Sequence, residues 1–153
     1  MKRRSIIKGV VGAGLLPFLG GLASLIPATA HARVVEAFDA KTTKEAIDVL
    51  FKEAKPQESD KLKLIAPDIA ENGTVVPLTI QSTFENLESI AVFATENPRA
   101  LVATDKFTPN SAPPLDLRVK LGKTQKVLII AQAGGKLYST SKQISVSVGG
   151  CGG

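Results

Sequence analysis

One histidine, one cysteine, one tyrosine and no tryptophan occur in the 153 residues. Each scarcity removes a class of chemistry. A Ser-His-Asp or Cys-His arrangement needs an imidazole that titrates near neutrality, and the single histidine, His31, lies at the junction between an amino-terminal leader and the body of the chain. No pair of His or Cys stands at metal-ligand spacing, and the haem-attachment and dinucleotide glycine patterns are missing. Gly122-Lys123-Thr124 has the end of a phosphate loop's spelling without the upstream glycine, and reads as a hairpin turn. The carboxylates Asp68, Glu71, Glu85 and Glu88 fall in or near turns, where acidic residues ordinarily face water. Tyr138 reads as a half-buried strand residue. No catalytic site, metal or cofactor is expected.

Charge excludes nucleic acid in the same way. The formal net charge of +5 is concentrated in Lys2, Arg3, Arg4 and Lys8. From Arg33 onward the 15 remaining basic residues face 14 acidic ones, too even a balance for a patch that follows a phosphate backbone. Apolar residues make up 44% and charged residues 22%, the composition of a chain that packs one core.

What is present begins with an address. Residues 1–32 open with Lys2-Arg3-Arg4-Ser5-Ile6-Ile7-Lys8, continue through a moderately apolar stretch broken by Gly12, Gly14, Pro17, Gly20 and Gly21, and close on small residues. Ala28-Thr29-Ala30 and Ala30-His31-Ala32 both fit the small-x-small pattern of signal peptidase, so cleavage is expected after Ala30 or Ala32. The Arg3-Arg4 pair resembles a twin-arginine signal, which sends folded cargo to the periplasm. The alternatives are an ordinary secretory signal or an uncleaved anchor, and the latter suits a stretch interrupted by glycine and proline poorly. No membrane association is expected after cleavage. Export would put the chain in an oxidising compartment, where small domains pair their cysteines. With one cysteine an internal disulfide is impossible.

Residues 33–148 read as one domain. Thr42-Thr43-Lys44-Glu45 matches a capping box, and Ala46, Val49, Leu50 and Phe51 then fall on one face of a helix that ends before Pro56. That helix is expected to cover the edge or mouth of a sandwich. From residue 62 the apolar period becomes two, with turn residues at short intervals. Leu62 and Leu64 alternate, Asn72-Gly73 suits a turn at positive φ, and Val76, Leu78 and Ile80 alternate again. Pro77 within that run predicts an edge strand or a bulge. Further runs cover Ile90 to Ala94, Leu101 to Phe107, and Leu115 to Leu121. Val127-Leu128-Ile129-Ile130 is apolar on both faces and is expected to be central. Gly134-Gly135 reads as a two-residue hairpin turn into the last strand, through Val148. About seven antiparallel strands and one amino-terminal helix predict an all-β, immunoglobulin-like sandwich.

The chain then ends Gly149-Gly150-Cys151-Gly152-Gly153. Glycine costs more conformational entropy to order than any other residue and adds no burial, so these five residues are expected to stay off the core. Three residues from Val148 reach about 10 Å, enough for residues 149–153 to act as a swinging arm that offers the Cys151 thiol to other proteins. The plain alternatives are a fraying end with an accidental cysteine, and a permanent intermolecular disulfide that tethers a secreted interaction module. An exposed free thiol is a hazard in an oxidising compartment, which weighs against the accident.

The tail, the arginine pair and the stretches Glu58-Ser59-Asp60-Lys61, Ala66-Pro67-Asp68-Ile69-Ala70-Glu71-Asn72-Gly73 and Ala133-Gly134-Gly135-Lys136-Leu137-Tyr138-Ser139 together resemble the SoxY family, the sulfur-carrying subunits of the periplasmic thiosulfate-oxidising system. The resemblance implies an immunoglobulin-like fold, no catalysis of its own, and a heterodimer with SoxZ. It also implies a cycle on Cys151. SoxXA, a c-type cytochrome, would join thiosulfate to the thiol; SoxB would release sulfate; SoxCD would oxidise the remaining sulfane sulfur.

Overall fold

The computed structural model describes residues 29–52, 54–108, 111 and 114–147. Alternating apolar residues build two sheets, and their positions decide which faces meet. The small sheet holds β2 (Leu62–Ile65), β4 (Val76–Ser82) and β7 (Leu115–Val119) in the order β2-β4-β7. The large sheet runs β1-β9-β8-β5-β6, from β1 (Gln57–Glu58) through β9 (Lys136–Val146), β8 (Gln125–Ala133) and β5 (Leu87–Ala94) to β6 (Leu101–Lys106). A further short strand, β3 (Ile69–Ala70), also pairs with β9. The architecture is the expected β-sandwich. Nine strands appear among the described residues rather than seven. The two extra ones, β1 and β3, are two residues long and pair in parallel with β9, and so short a segment carries no alternation that a sequence could display.

Between the sheets lies the main core. Leu62, Val76, Leu78 and Ile80 of the small sheet meet Ile90, Val92, Val127, Ile129 and Ile144 of the large one, all buried. Burying each such side chain stabilises the fold by about 1.5–3 kcal/mol.

On its other face, the large sheet is covered by helices. Two are present where one was expected: α1 (Thr29–Asp39) and α2 (Thr43–Phe51). Val34, Ala37 and Phe38 supply the short helical repeat of α1, with Ala37 fully buried. The capping box of α2 forms as expected: Glu45 N–H donates to Thr42 Oγ1 at 3.2 Å, and Thr42 N–H donates to Glu45 Oε2 at 3.3 Å. Rather than closing an edge or mouth, the helices lie over the sheet face, where Ala37 and Ala46 pack with Ala91, Phe93, Leu101 and Ile130. This cover explains why residues 127–130 are apolar on both faces, as expected of a central strand.

Pro77 does not mark an edge. Its strand, β4, is central and regular against both neighbours. The reason is parity. Thr83 N–H donates to Lys61 C=O, so odd-numbered residues of β4 point their backbone groups toward β2, whose pairing stops at Ile65 opposite Thr79. The nitrogen of Pro77 therefore faces the space beyond the end of β2, where no ladder bond is lost.

Two turns also depart from expectation. Gly73 does not take positive φ; only Gly134 (φ 55), Gly135 (φ 72) and Lys52 (φ 53) do among the described residues. Residues 120–124 do not form a hairpin, because β7 and β8 belong to different sheets. At Gly134-Gly135 the two-residue hairpin forms as read, with Ala133 paired to Lys136.

Candidate functional site

Cys151, its flanking residues Gly149, Gly150, Gly152 and Gly153, and the signal pair Arg3 and Arg4 lie outside the described residues. The structure does show how the chain is delivered to them. Strand β9 is the longest in the fold, at 11 residues. It pairs with β8 from Lys136 to Ile144 and, at its end, with β3. Ser145 N–H donates to Asp68 C=O at 2.9 Å, Val146 N–H to Thr124 Oγ1 at 2.9 Å, and Ser147 N–H to Ala70 C=O at 3.0 Å. Every residue from 145 to 147 is therefore held by a hydrogen bond, and the anchorage runs to Ser147. Cys151 lies four residues beyond Ser147, a reach of about 13–14 Å in extended chain.

Three loops gather around this root: residues 71–75, 95–100 and 120–124. Asn72 Oδ1 accepts from Thr74 N–H at 2.9 Å and from the Thr74 hydroxyl at 2.6 Å, which turns the chain without positive φ. Gly73 then passes so near the neighbouring loop that a Cβ there would sit 2.4 Å from Leu121 O and 2.7 Å from Val146 Cγ1. In the native chain that approach lets Leu121 N–H donate to Gly73 C=O at 2.7 Å.

Below the root lies a buried amide. Gln125 is 1% exposed, and its polar atoms are satisfied: Nε2 donates to Asn97 Oδ1 at 2.9 Å and Lys123 C=O at 3.2 Å, while Oε1 accepts from Glu96 N–H at 2.8 Å. Asn97 in turn takes a bond from Gly122 N–H at 3.1 Å and gives one to Lys120 C=O at 2.8 Å. A satisfied network of this kind fixes loop geometry, because breaking one member would leave buried groups unpaired. It holds Thr124 where it meets β9. The loops also bring Lys120 and Lys123 to this end of the sandwich, with Lys123 Nζ 3.0 Å from Glu96 Oε2.

Sequence reading missed Thr124, Gln125, Asn97 and the close approach of Gly73. The one available signal was Gln125, a polar residue in register with the inward Val127 and Ile129.

The remaining candidates disperse. Asp68 pairs with Lys142 at 2.9 Å, and that lysine also donates to Ala66 C=O, which clips the link between β2 and β3 onto β9. Glu88 lies in β5, where it accepts from Gly135 N–H at 2.9 Å. Tyr138 is half-buried, as expected, and stacks on Phe84 with ring centroids 4.4 Å apart. Both rings sit at the end of the sandwich opposite the root, beside a hollow of about 290 Å³ lined by Lys61, Glu85 and Asn86. Among the described residues no three His, Cys, Asp or Glu gather as a metal site, and no helix is long and apolar enough to cross a membrane.

Two facing sheets, one of them covered by helices on its outer face, with the last described strand pinned at its end, define the class as small β-sandwich proteins. The chain matches the family described as "Sulfur oxidation protein SoxY" over residues 47–151, a span that closes on Cys151, and it belongs to that family. Among solved structures it is similar to the sulfur carrier protein SoxY from Chlorobium limicola f thiosulfatophilum, with 33% identity, 69% of this chain and 96% of that chain covered, and a TM-score of 0.63. A single-substitution variant of the superoxide reductase (neelaredoxin) from Ignicoccus hospitalis matches at 19% identity over 69% of this chain and 93% of its own, with a TM-score of 0.51, a likeness of fold alone. Comparison with curated protein sequences returns no match.

Proposed function

We propose that this chain is a periplasmic carrier in thiosulfate oxidation, holding sulfur intermediates covalently on Cys151 while partner enzymes act on them. Membership of the SoxY family supports the sulfur-oxidation carrier role, and the finer reading rests on the family match closing at the only cysteine. In the first step the Cys151 thiol and thiosulfate join through a new S–S bond, releasing one proton and two electrons to a c-type cytochrome. Water then displaces sulfate from the adduct and leaves a persulfide anion on Cys151 with two protons released. No general base is needed on the carrier itself. The resemblance supplies SoxZ as heterodimeric partner, SoxXA and SoxB for these two steps, and SoxCD for oxidising the sulfane sulfur. Arg3 and Arg4 would direct export by the twin-arginine route.

The anchorage of residues 145–147 supports an arm of defined length. An arm of residues 149–153 rooted at a fixed point keeps the sulfur at high local concentration near docked partners, and glycine lets the thin strand enter a narrow channel. Mass spectrometry of protein isolated from cells oxidising thiosulfate should find S-sulfonate, thiosulfonate or persulfide masses on Cys151. A constant protein disulfide there would instead support the tethered interaction module. Cys151→Ser is expected to abolish thiosulfate-dependent electron flow in a reconstituted system while the fold is unchanged.

A further inference from the structure

The geometry points to Asn72-Gly73 as a site of self-modification, where the Gly73 nitrogen closes on the Asn72 side chain to give a succinimide that opens to an aspartyl or isoaspartyl residue. It is independent of what Cys151 carries. Ring closure by an asparagine needs an unhindered backbone nitrogen to attack, a polarised side-chain carbonyl to receive it, and an amide that is able to leave, all held together by the chain itself. Of the four asparagines, at positions 72, 86, 97 and 110, only Asn72 precedes glycine. Leu87 and Ser111 follow Asn86 and Asn110 with side chains that crowd the attack, and Pro98 after Asn97 has no N–H to lose. Gly73 brings no side chain, and among the described residues its N–H donates no hydrogen bond.

The carbonyl is polarised by its neighbour. Asn72 Oδ1 accepts from Thr74 N–H at 2.9 Å and from the Thr74 hydroxyl at 2.6 Å. When the Gly73 nitrogen adds to Cγ, negative charge gathers on Oδ1, and two donors already aimed at that oxygen stabilise it as an oxyanion hole does. Asn72 Nδ2 donates to nothing among the described residues, so it can take up a proton and depart. Asn97 provides the contrast within the same end of the sandwich. Its Oδ1 also accepts from two donors, Gly122 N–H and Gln125 Nε2, but its Nδ2 is tied to Lys120 C=O and the next nitrogen belongs to a proline.

Water and hydroxide are the only other reactants. The Gly73 N–H gives its proton to hydroxide, the N–Cγ bond forms, the Cγ–Nδ2 bond breaks, and ammonia leaves with a proton from water, which regenerates hydroxide. Water then adds to one of the two imide carbonyls. Opening at Cγ leaves aspartate at position 72. Opening at the main-chain carbonyl leaves isoaspartate, whose backbone runs through the former side chain and is one methylene longer. That longer path has no room, because even a Cβ on Gly73 would lie 2.4 Å from Leu121 O and 2.7 Å from Val146 Cγ1. The bond from Leu121 N–H to Gly73 C=O is displaced, and isoaspartate formation loosens the root of β9.

Incubation of the purified, folded chain at mildly alkaline pH, followed by peptide mass mapping and enzymatic methylation of isoaspartate, tests this. Asn72 is expected to deamidate ahead of Asn86, Asn97 and Asn110. Thr74→Val keeps the side-chain shape and removes the hydroxyl donor, and should slow the conversion about three- to tenfold. Thr74→Ser restores the hydroxyl and should convert as wild type does. The isoaspartyl fraction, separated by its added negative charge, should show severalfold faster amide exchange at Leu121 and Val146, whereas Asn72→Asp, with its normal backbone, should exchange as wild type does. The proposal is overturned if Asn72 stays intact in the folded chain while the denaturant-unfolded chain deamidates, or if Thr74→Val converts as fast as wild type or faster. Unchanged exchange at Leu121 and Val146 in the isoaspartyl fraction would equally overturn it.

Discussion

The two sheets of this sandwich are opposites in what covers them. The large sheet is buried on both faces, by the small sheet on one side and by α1 and α2 on the other, so Val92 and Phe93 are adjacent in β5 and both inaccessible. The small sheet is covered on one face only. Its outer side exposes Lys63, Ile65, Pro77, Asp116 and Arg118, and among the described residues no further strand pairs with either of its edges. Stability is concentrated in the large sheet, whose last strand leads to the cysteine. The strand that precedes the glycine tail is thus anchored in the layer buried on both faces, which is the arrangement the proposed carrier arm requires.

The contrast can be broken most directly at Phe93, fully buried under the helices. Phe93→Ala is expected to cost about 3–5 kcal/mol in denaturant unfolding, and a loss below about 1 kcal/mol would mean that the helical layer does not seal the sheet. Next comes Gly73→Ala, in which the new Cβ meets a backbone oxygen that cannot swing aside. A destabilisation of about 1–3 kcal/mol is expected, with chemical-shift changes at Leu121 and Val146 marking displacement of the root. Thr124→Val keeps the shape but removes the acceptor for Val146 N–H. It should cost about 1 kcal/mol and accelerate amide exchange at Val146 severalfold, whereas Thr124→Ser should exchange as wild type does. The smallest effect belongs to the bare face of the small sheet, where Lys63→Ala should change stability by less than about 0.5 kcal/mol.

Much of the division was readable from local patterns. Period-two alternation located β2, β4, β5, β7 and β8, the capping box located α2, and the doubled apolar run at residues 127–130 announced a strand with two buried faces. The reading of the glycine tail as an arm rests on residue type alone, since four glycines around a cysteine have little to bury. Features made by contacts between distant segments were not readable. Strands β1 and β3 exist because the edge of β9 away from β8 is open to them, at residues 138–139 and 145–146, and the harmlessness of Pro77 depends on where β2 stops. The root of the arm escaped for the same reason: Thr124 and Val146 lie 22 residues apart, and Gly73 is required by its close approach to Leu121 and Val146 rather than by its own φ.

Composition and spacing by themselves determined that the body is β and that the single cysteine stands among four glycines, and they set the expectation that familiar catalytic constellations are missing. Those are properties of residue type and local period, which no neighbour can alter. Only the tertiary structure decided which faces are covered, how the strands are ordered within each sheet, and where the final strand is anchored. Each of these depends on hydrogen bonds and packing between segments whose separation in sequence carries no information about their distance in space.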